Sequence, residues 1–312
     1  MNIGVHVVNA RPWATAESIV LLGTRAEALG FDSLWVSDQV VIPSELQSFF
    51  PYGTGRQYDI EANQNFFEAV AVLTYLAGRT NRVQLGTSVL VLPYRQPLVV
   101  AKQWATLDAL SGGRTILGVG AGFMREQFEA LGMDTFDRRG AVTDEAIRVL
   151  RAAWAPGAKV SFSGEVYRFQ PVRFLPKPVR PGGPPIWVGG KGRRSIRRAA
   201  ELGDGWHAVG ISVNDLRAGV ATLHELLDRN GRQPADVVTS AKLRLYCPGT
   251  GPRAEPHESE LTGQAELIAA KLRSYRDAGL QYLVLDPTQH GAPAEALETI
   301  EFFAHEVRPL LD

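Results

Sequence analysis

The stretch GGPPIWVGGKGRRSIRRAAELGDGW, Gly182 to Trp206, contains a whole strand–helix–strand step, and its reading sets that of the rest of the chain. Pro185 to Val188 is a short apolar strand that ends in Gly189, Gly190 and Gly192, and a basic helix with Arg193, Arg194, Arg197 and Arg198 follows. Leu202-Gly203 closes that helix, because glycine just past a helix takes the left-handed cap conformation, and the next strand starts at once. A glycine-lined helix start leaves backbone N–H groups and the positive end of the helix dipole open to an anion. Gly189, Gly190, Lys191 and Gly192 are therefore expected to seat a phosphate, with the arginines extending the seat outward. A tight turn leading into a solvated basic helix would use the same residues.

The same step recurs along the chain. Leu29-Gly30 precedes FDSLWVSD and Ala278-Gly279 precedes LQYLVLD, as Leu202-Gly203 precedes DGWHAVG. Strands are expected near Ile3 to Val8, Ser33 to Ser37, Val83 to Leu92, Thr115 to Gly120, Pro185 to Val188, Trp206 to Val209, Val237 to Tyr246 and Tyr282 to Asp286. Helical spacing fills the intervals, with Ile19, Leu22, Ala26 and Leu29 on one face and Phe66, Ala69, Val70, Leu73 and Ala77 on another. Eight such units point to an α/β fold, a (β/α)₈ TIM barrel forming one domain over residues 1–312. A doubly wound open sheet is the alternative, since periodicity does not show closure. Two long connections, Val40 to Asn65 and Pro156 to Pro184, read as insertions after the second and fourth strands. The first is a candidate substrate wall, and VSFSGEVYRF in the second reads as a hairpin.

The 312 residues are 45% apolar, and 33 Lys+Arg balance 33 Asp+Glu, so no global field favours nucleic acid or an acidic membrane. The single cysteine, Cys247, excludes an intramolecular disulfide and a cysteine-based metal site. The start of the chain lacks a signal-peptide pattern and no stretch is long and apolar enough to span a bilayer, so a cytoplasmic protein is expected.

In a barrel the C-terminal strand ends face the active site. That rule selects Asp38 and Gln39, Ser88 and Val89, Gly120 and Gly122, Gly189 and Gly190, and Asp286, whereas Asp108, Ser111, Gly113 and Arg114 form a turn on the lower face. GVGAG, Gly118 to Gly122, lacks the acidic residue of a nicotinamide site, so its glycines are read as letting a flat ring or a neighbouring backbone approach. His6 and His207 lie in strands where they either point into the mouth or sit satisfied in the core. No metal-ligand spacing and no hydrolytic motif is present, so no metal site is expected. A phosphate seat with few acid–base groups points to a bound cofactor that does the difficult chemistry.

LGFDSLWVSDQVVIP (Leu29 to Pro43), LGTSVLVLPYRQPLVVAKQWATLDALSGGR (Leu85 to Arg114), LGVGAGFMREQFEALG (Leu117 to Gly132), RRGAVTDEAIRVLRAAW (Arg138 to Trp154) and PPIWVGGKGRRSIRRAAELGDGW (Pro184 to Trp206) together resemble the bacterial luciferase-like superfamily, and within it the coenzyme F420-dependent oxidoreductases. The resemblance implies a barrel holding coenzyme F420, or alternatively flavin mononucleotide, with its ring in the mouth. It implies a phosphate at Gly189, Gly190 and Gly192, a non-prolyl cis peptide at Ser88–Val89 against the ring, and further cofactor contacts at Asp38, Gly122 and Lys191. It also implies a homodimer. Two positions depart from the family pattern: Asp38-Gln39 replaces the common Asp-His, and Gln127 replaces a common Glu. Both changes remove a titratable group, so the catalytic candidates are Asp38, Gln39, His6 and His207, the histidines as alternative proton sources. The expected activity is hydride transfer between the deazaflavin and a small organic substrate, with C=C or C=N reduction favoured over carbonyl chemistry. The alternatives are a monooxygenase using reduced flavin mononucleotide, and a flavin- or deazaflavin-binding protein without turnover.

Overall fold

A computed structural model describes residues 1–44, 48, 64–247, 256–288 and 291–311. Its strands β1 (Asn2–His6), β2 (Ser33–Val36), β3 (Gln84–Thr87), β4 (Thr115–Gly120), β5 (Ile186–Gly189), β6 (Gly205–Val209), β7 (Val238–Arg244) and β8 (Tyr282–Asp286) each pair in parallel with the next. β8 returns to β1, with Asn2 opposite Tyr282 and Val5 opposite Leu285, so the sheet closes and the open doubly wound alternative is excluded. The surrounding helices are α1 (Ala16–Ala28), α2 (Ala69–Ala77), α3 (Pro97–Ser111), α4 (Arg125–Ala130), α5 (Arg139–Trp154), α6 (Arg193–Leu202), α7 (Val213–Arg229), α8 (Ala265–Asp277) and α9 (Pro293–Phe302).

Alternation along the strands separates two cores. Ile3, Val5, Leu34, Val36, Leu117, Val119, Ala241 and Leu243 face outward and pack with helix residues such as Ile19, Leu73, Ile147 and Ile268. The inner face is filled at mid-height by Trp35, Ile116, Trp187, Tyr282 and Val284. The Trp35 and Trp187 rings lie 5.2 Å apart. Glycines on neighbouring strands make room for them: a Cβ at Gly4 or Gly86 would stand 2.6 Å from Trp35, and one at Gly205 would stand 2.5 Å from Trp187. Below this layer Arg114 donates to the carbonyls of Ala77, Thr80, Val83 and Ser111, and Asp108 accepts from Val179 N at 2.8 Å, as a structural turn requires.

Three expectations need correction. The third strand does not run unbroken to Leu92, because the Ser88–Val89 peptide is cis and Leu90–Val91 resumes pairing only against Val119 and Gly120. Phe66 belongs not to α2 but to a short pair with Ala10, the helix starting at Ala69 behind the Glu68 cap. Gly203 is not a left-handed cap: at φ −97° it is already extended, whereas Gly30 and Gly279 do take positive φ. The expected hairpin, Lys159–Ser163 with Arg168–Arg173, is found after β4, in the connection between α5 and β5. There Glu145 of α5 accepts from the backbone N–H groups of Glu165, Val166 and Tyr167. Of the expected Val40 to Asn65 wall, residues 45–47 and 49–63 lie outside the described residues. Ser48 is held by Glu126, which accepts from its N–H at 2.7 Å and its hydroxyl at 2.5 Å. No helix among the described residues is long and apolar enough to cross a membrane.

Candidate active site

Above the tryptophan layer the inner face turns polar. His207 of β6 is fully buried, stacked on Trp35 at 5.3 Å, with Nε2 2.8 Å from Ser88 Oγ and Nδ1 2.9 Å from Ser240 Oγ. Burial, with Lys242 and His6 adding to it, lowers its pKa from 6.5 to about 3. The ring is neutral and both nitrogens are occupied. His207 therefore ties the Ser88–Val89 turn to β7, and the expectation that it moves protons is not met by this geometry.

Val89 explains the glycines of β4. A Cβ at Gly118 would stand 1.8 Å from the Thr87 carbonyl oxygen, and one at Gly120 or Gly189 would stand 2.6 or 2.7 Å from the Val89 methyls. The expected close approach of neighbouring backbone to the GVGAG glycines is seen at Gly118, and a valine side chain joins it at Gly120. Gly122, at φ 80°, likewise makes room for Phe128 and Val91, since a Cβ there would stand 2.9 Å from each, and its carbonyl accepts from Arg139 Nε.

Asp38 is buried and bracketed. Arg95 donates to its two oxygens at 2.7 and 2.8 Å, and Val91 N–H donates at 2.9 Å. Burial raises its pKa in opposition to Arg95. With both oxygens engaged, Asp38 fixes the Leu90–Val91 segment and is no free acid or base. Gln39, half-buried beside it, accepts from Gln127, whose amide also donates to the Val41 carbonyl at 2.7 Å while its oxygen accepts from Tyr94 OH at 2.5 Å. The Gln39 NH₂ has no acceptor among the described residues.

The glycine-rich helix start leaves fewer open donors and free charges than the sequence implies. Gly190, at φ 120°, spends its N–H on the His207 carbonyl at 3.1 Å, and its own carbonyl accepts from Trp206 Nε1 at 2.7 Å. Gly192 is the N-cap of α6, without a side chain to close the helix end, and a Cβ there would meet nothing within 4 Å. The backbone N–H groups of Gly192, Arg193 and Arg194 have no acceptor among the described residues, whereas Ser195 N–H returns to the Gly192 carbonyl at 2.9 Å. Arg198 is buried against Asp144 and the Gly140 carbonyl, and Arg197 pairs with Glu201 and Asp144, so these two join α6 to α5 and do not extend the seat. Lys191, Arg193 and Arg194 remain around it, the arginines exposed.

On the far side of the mouth lies a second polar group. His6 Nε2 is 2.9 Å from Ser37 Oγ, its Nδ1 is buried without a hydrogen-bond partner, and that Nδ1 stands 3.7 Å from Asp286 Oδ1. Burial, then Lys242, lowers the His6 pKa to about 3 against the pull of Asp286, so His6 is also a poor proton source. Lys242 Nζ stands 4.0 Å from Asp286 Oδ2. Burial works against the Asp286 charge, but His6, Lys242 and the Thr288 hydroxyl hold its pKa below the ordinary range. Neither Lys242 nor Arg95 was singled out from sequence. The signal for Lys242 lay in the alternation of Ser240, Lys242 and Arg244 with Ala241 and Leu243. Among the described residues no three His, Cys, Asp or Glu side chains gather as a metal site.

A family model described as luciferase-like monooxygenase matches residues 1–255. An uncharacterised protein of Mycobacterium tuberculosis is 34% identical over 211 residues, covering 68% of this chain and 72% of that protein. The F420-dependent glucose-6-phosphate dehydrogenase of Kineococcus radiotolerans is 32% identical over 225 residues, covering 71% of this chain and 61% of that one. The coenzyme F420-dependent tetrahydromethanopterin reductase of Methanopyrus kandleri superposes with a TM-score of 0.79 over 100% of this chain and 99% of that one, at 17% identity.

Proposed function

Because the chain belongs to the luciferase-like monooxygenase family, we propose that it is a coenzyme F420-dependent oxidoreductase that moves a hydride to a small organic substrate in the barrel mouth. The observation that carries this reading is the open helix end at Gly192, where among the described residues the N–H groups of Gly192, Arg193 and Arg194 have no acceptor and the side chains of Arg193 and Arg194 are exposed. The F420-dependent relatives support it. The seat fits a phosphate, and the two exposed arginines fit a cofactor tail that carries further negative charge.

In this reading the helix end and Lys191 hold the cofactor phosphate. When bound, the reduced deazaflavin supplies the hydride. The protein supplies the rest: His207 holds Ser88 in place, Asp38 and Arg95 fix the chain after Val89, and the tryptophan layer excludes water from below. His6 and His207 are neutral, and Gln39 and Gln127 do not titrate. That scarcity of acids supports reduction of a polarised C=C or C=N bond. A monooxygenase using reduced flavin mononucleotide is the second reading, since the same seat takes any flavin phosphate.

Titrating the purified protein with F420 and with flavin mononucleotide, at low and high salt, separates them. Tighter F420 binding that weakens as salt rises is expected. Flavin mononucleotide binding with no detectable F420 binding overturns the proposal.

A further inference from the structure

We infer that Lys242, poised between His6 and Asp286, is an oxyanion-binding group that receives the carbonyl oxygen of a conjugated substrate. The inference deepens the hydride-transfer reading and rests on it for the reaction, though not for the site.

Three observations converge on one space. Ser240 points inward to His207, so Lys242, two residues on, takes the same inner face one step nearer the mouth. Its side chain is only 10% exposed, yet Nζ has no hydrogen-bond acceptor among the described residues. Its nearest carboxylate oxygen is 4.0 Å away, beyond hydrogen-bond reach. Asp286 cannot close that gap easily, because its Oδ1 accepts from Thr288 N–H at 3.1 Å and from Thr288 Oγ1 at 2.5 Å. His6 Nδ1 is a buried polar atom without a hydrogen-bond partner, facing the same carboxylate from 3.7 Å, whereas Lys242 Nζ keeps access to the mouth. Buried polar groups are normally satisfied, so His6 Nδ1 is open to a ligand atom that the accessible Lys242 ammonium beside it can also reach. Among the described residues around them Arg11, Lys242 and Arg244 outnumber Asp286 and Glu260, and Arg244 is itself engaged with Glu260 at 3.2 Å. The ligand atom is therefore one that bears or develops negative charge.

The chemistry that matches is conjugate reduction. Hydride adds to the carbon β to a carbonyl, the C=C electron pair shifts toward oxygen, and the resulting enolate oxygen accepts a hydrogen bond from the Lys242 ammonium. Lys242 keeps its proton, and a solvent proton at the α-carbon completes a saturated carbonyl product. An ammonium held in a low-dielectric site is set to stabilise the charge as it forms. Burial lowers the Lys242 pKa while Asp286 opposes that change, and Arg244 and Arg11 add to it.

4-Nitrophenol mimics the enolate, and its phenolate has its own absorbance band, so the site can be read without cofactor or turnover. Wild type is expected to bind the probe ionised at a pH about one unit below that of the free phenol. Lys242→Met is expected to lose that effect and roughly 10–100-fold in affinity, and Lys242→Arg to retain the ionisation. Because methionine leaves Asp286 without its cation, Lys242→Met/Asp286→Asn is measured beside it, with the same loss expected. Failure of wild type to bind the probe, binding as the neutral phenol, or full ionisation in both methionine variants overturns the inference. Cofactor titration of the same samples keeps the two readings apart. It should be unchanged by Lys242→Met, and absence of cofactor binding in wild type would remove the hydride-transfer reading while leaving phenolate binding intact.

Discussion

The side-chain amide of Gln127 donates to the side-chain oxygen of Gln39, so the two positions that depart from the family pattern form one hydrogen-bonded pair. Gln127 is buried, with Tyr94 and Val41 fixing its other contacts, and the Gln39 NH₂ is left without an acceptor among the described residues. The pair is neutral at every pH. Gln39→Ala should slow single-turnover hydride transfer by about tenfold, the worth of one neutral hydrogen bond. Gln39→His should introduce an ionisation that wild type lacks. Stopped-flow rates against pH for the three proteins check both, and a loss beyond a thousandfold in the alanine variant would make Gln39 central.

Gly192 offers a cleaner test of the anion seat than Gly190. At φ 120° Gly190 holds a backbone that other residues rarely adopt, whereas Gly192 has open space around it. Gly192→Asp places a good N-cap residue on the free N–H groups, so the melting temperature should hold or rise while cofactor binding disappears. Calorimetric melting and a cofactor titration on one preparation would show whether the two properties separate.

The basic residues of α6 should divide into two classes. Arg193→Glu and Arg194→Glu should weaken cofactor binding and flatten its salt dependence with little change in stability. Arg198→Ala breaks a buried pair with Asp144 and should cost about 3 kcal/mol in urea unfolding. Equal effects of all three on cofactor affinity would contradict the assignment of Arg198 to the α5 contact.

Val89 and the glycines it faces should be coupled. Gly189→Ala brings a methyl to 2.7 Å from Val89 and should be destabilising, and adding Val89→Ala should recover part of the loss. A double-mutant cycle read by urea unfolding is expected to give a coupling of about 1 kcal/mol or more. An additive result would mean that Gly189 is needed for another reason.

Acid should destabilise the protein through its two buried histidines. Both have folded pKa values near 3 against 6.5 when free, so below 6.5 the unfolded chain binds protons that the folded one refuses. Each ring therefore removes about 1 kcal/mol of stability per pH unit as pH falls through that window, and neither contributes a slope above it. His207→Gln should reduce the slope measured by urea unfolding between those limits, whatever it does to stability at neutral pH.

The barrel was legible because its signals are local. A glycine just past a helix and directly ahead of an apolar strand recurs at Gly30, Gly203 and Gly279 and leaves little choice of architecture. The open helix start at Gly192 was legible for the same reason, as glycines and a helix start lie side by side in sequence. What was not legible depended on partners far along the chain. Arg198 looks like Arg194 in sequence, and only the approach of Asp144 from α5 makes one structural and leaves the other exposed. Gly118 and Gly120 look like a ring-binding loop until Val89 folds over them. His207 and Lys242 are neighbours across β6 and β7, one saturated by two hydroxyls and the other left with unused donors, and no spacing within either strand records that difference.

Trp35 and Trp187, together with the glycines that admit them, make the barrel a blind tube. Among the described residues that layer closes the interior from below, so ligands come and go by the C-terminal strand ends, and whatever enters first is covered by what enters second. A ring bound against Ser88 and Val89 would have to arrive before the substrate and could leave only after the product. The consequence is kinetic: turnover should follow a compulsory last-in, first-out order, with the aromatic floor beneath His207 as its cause.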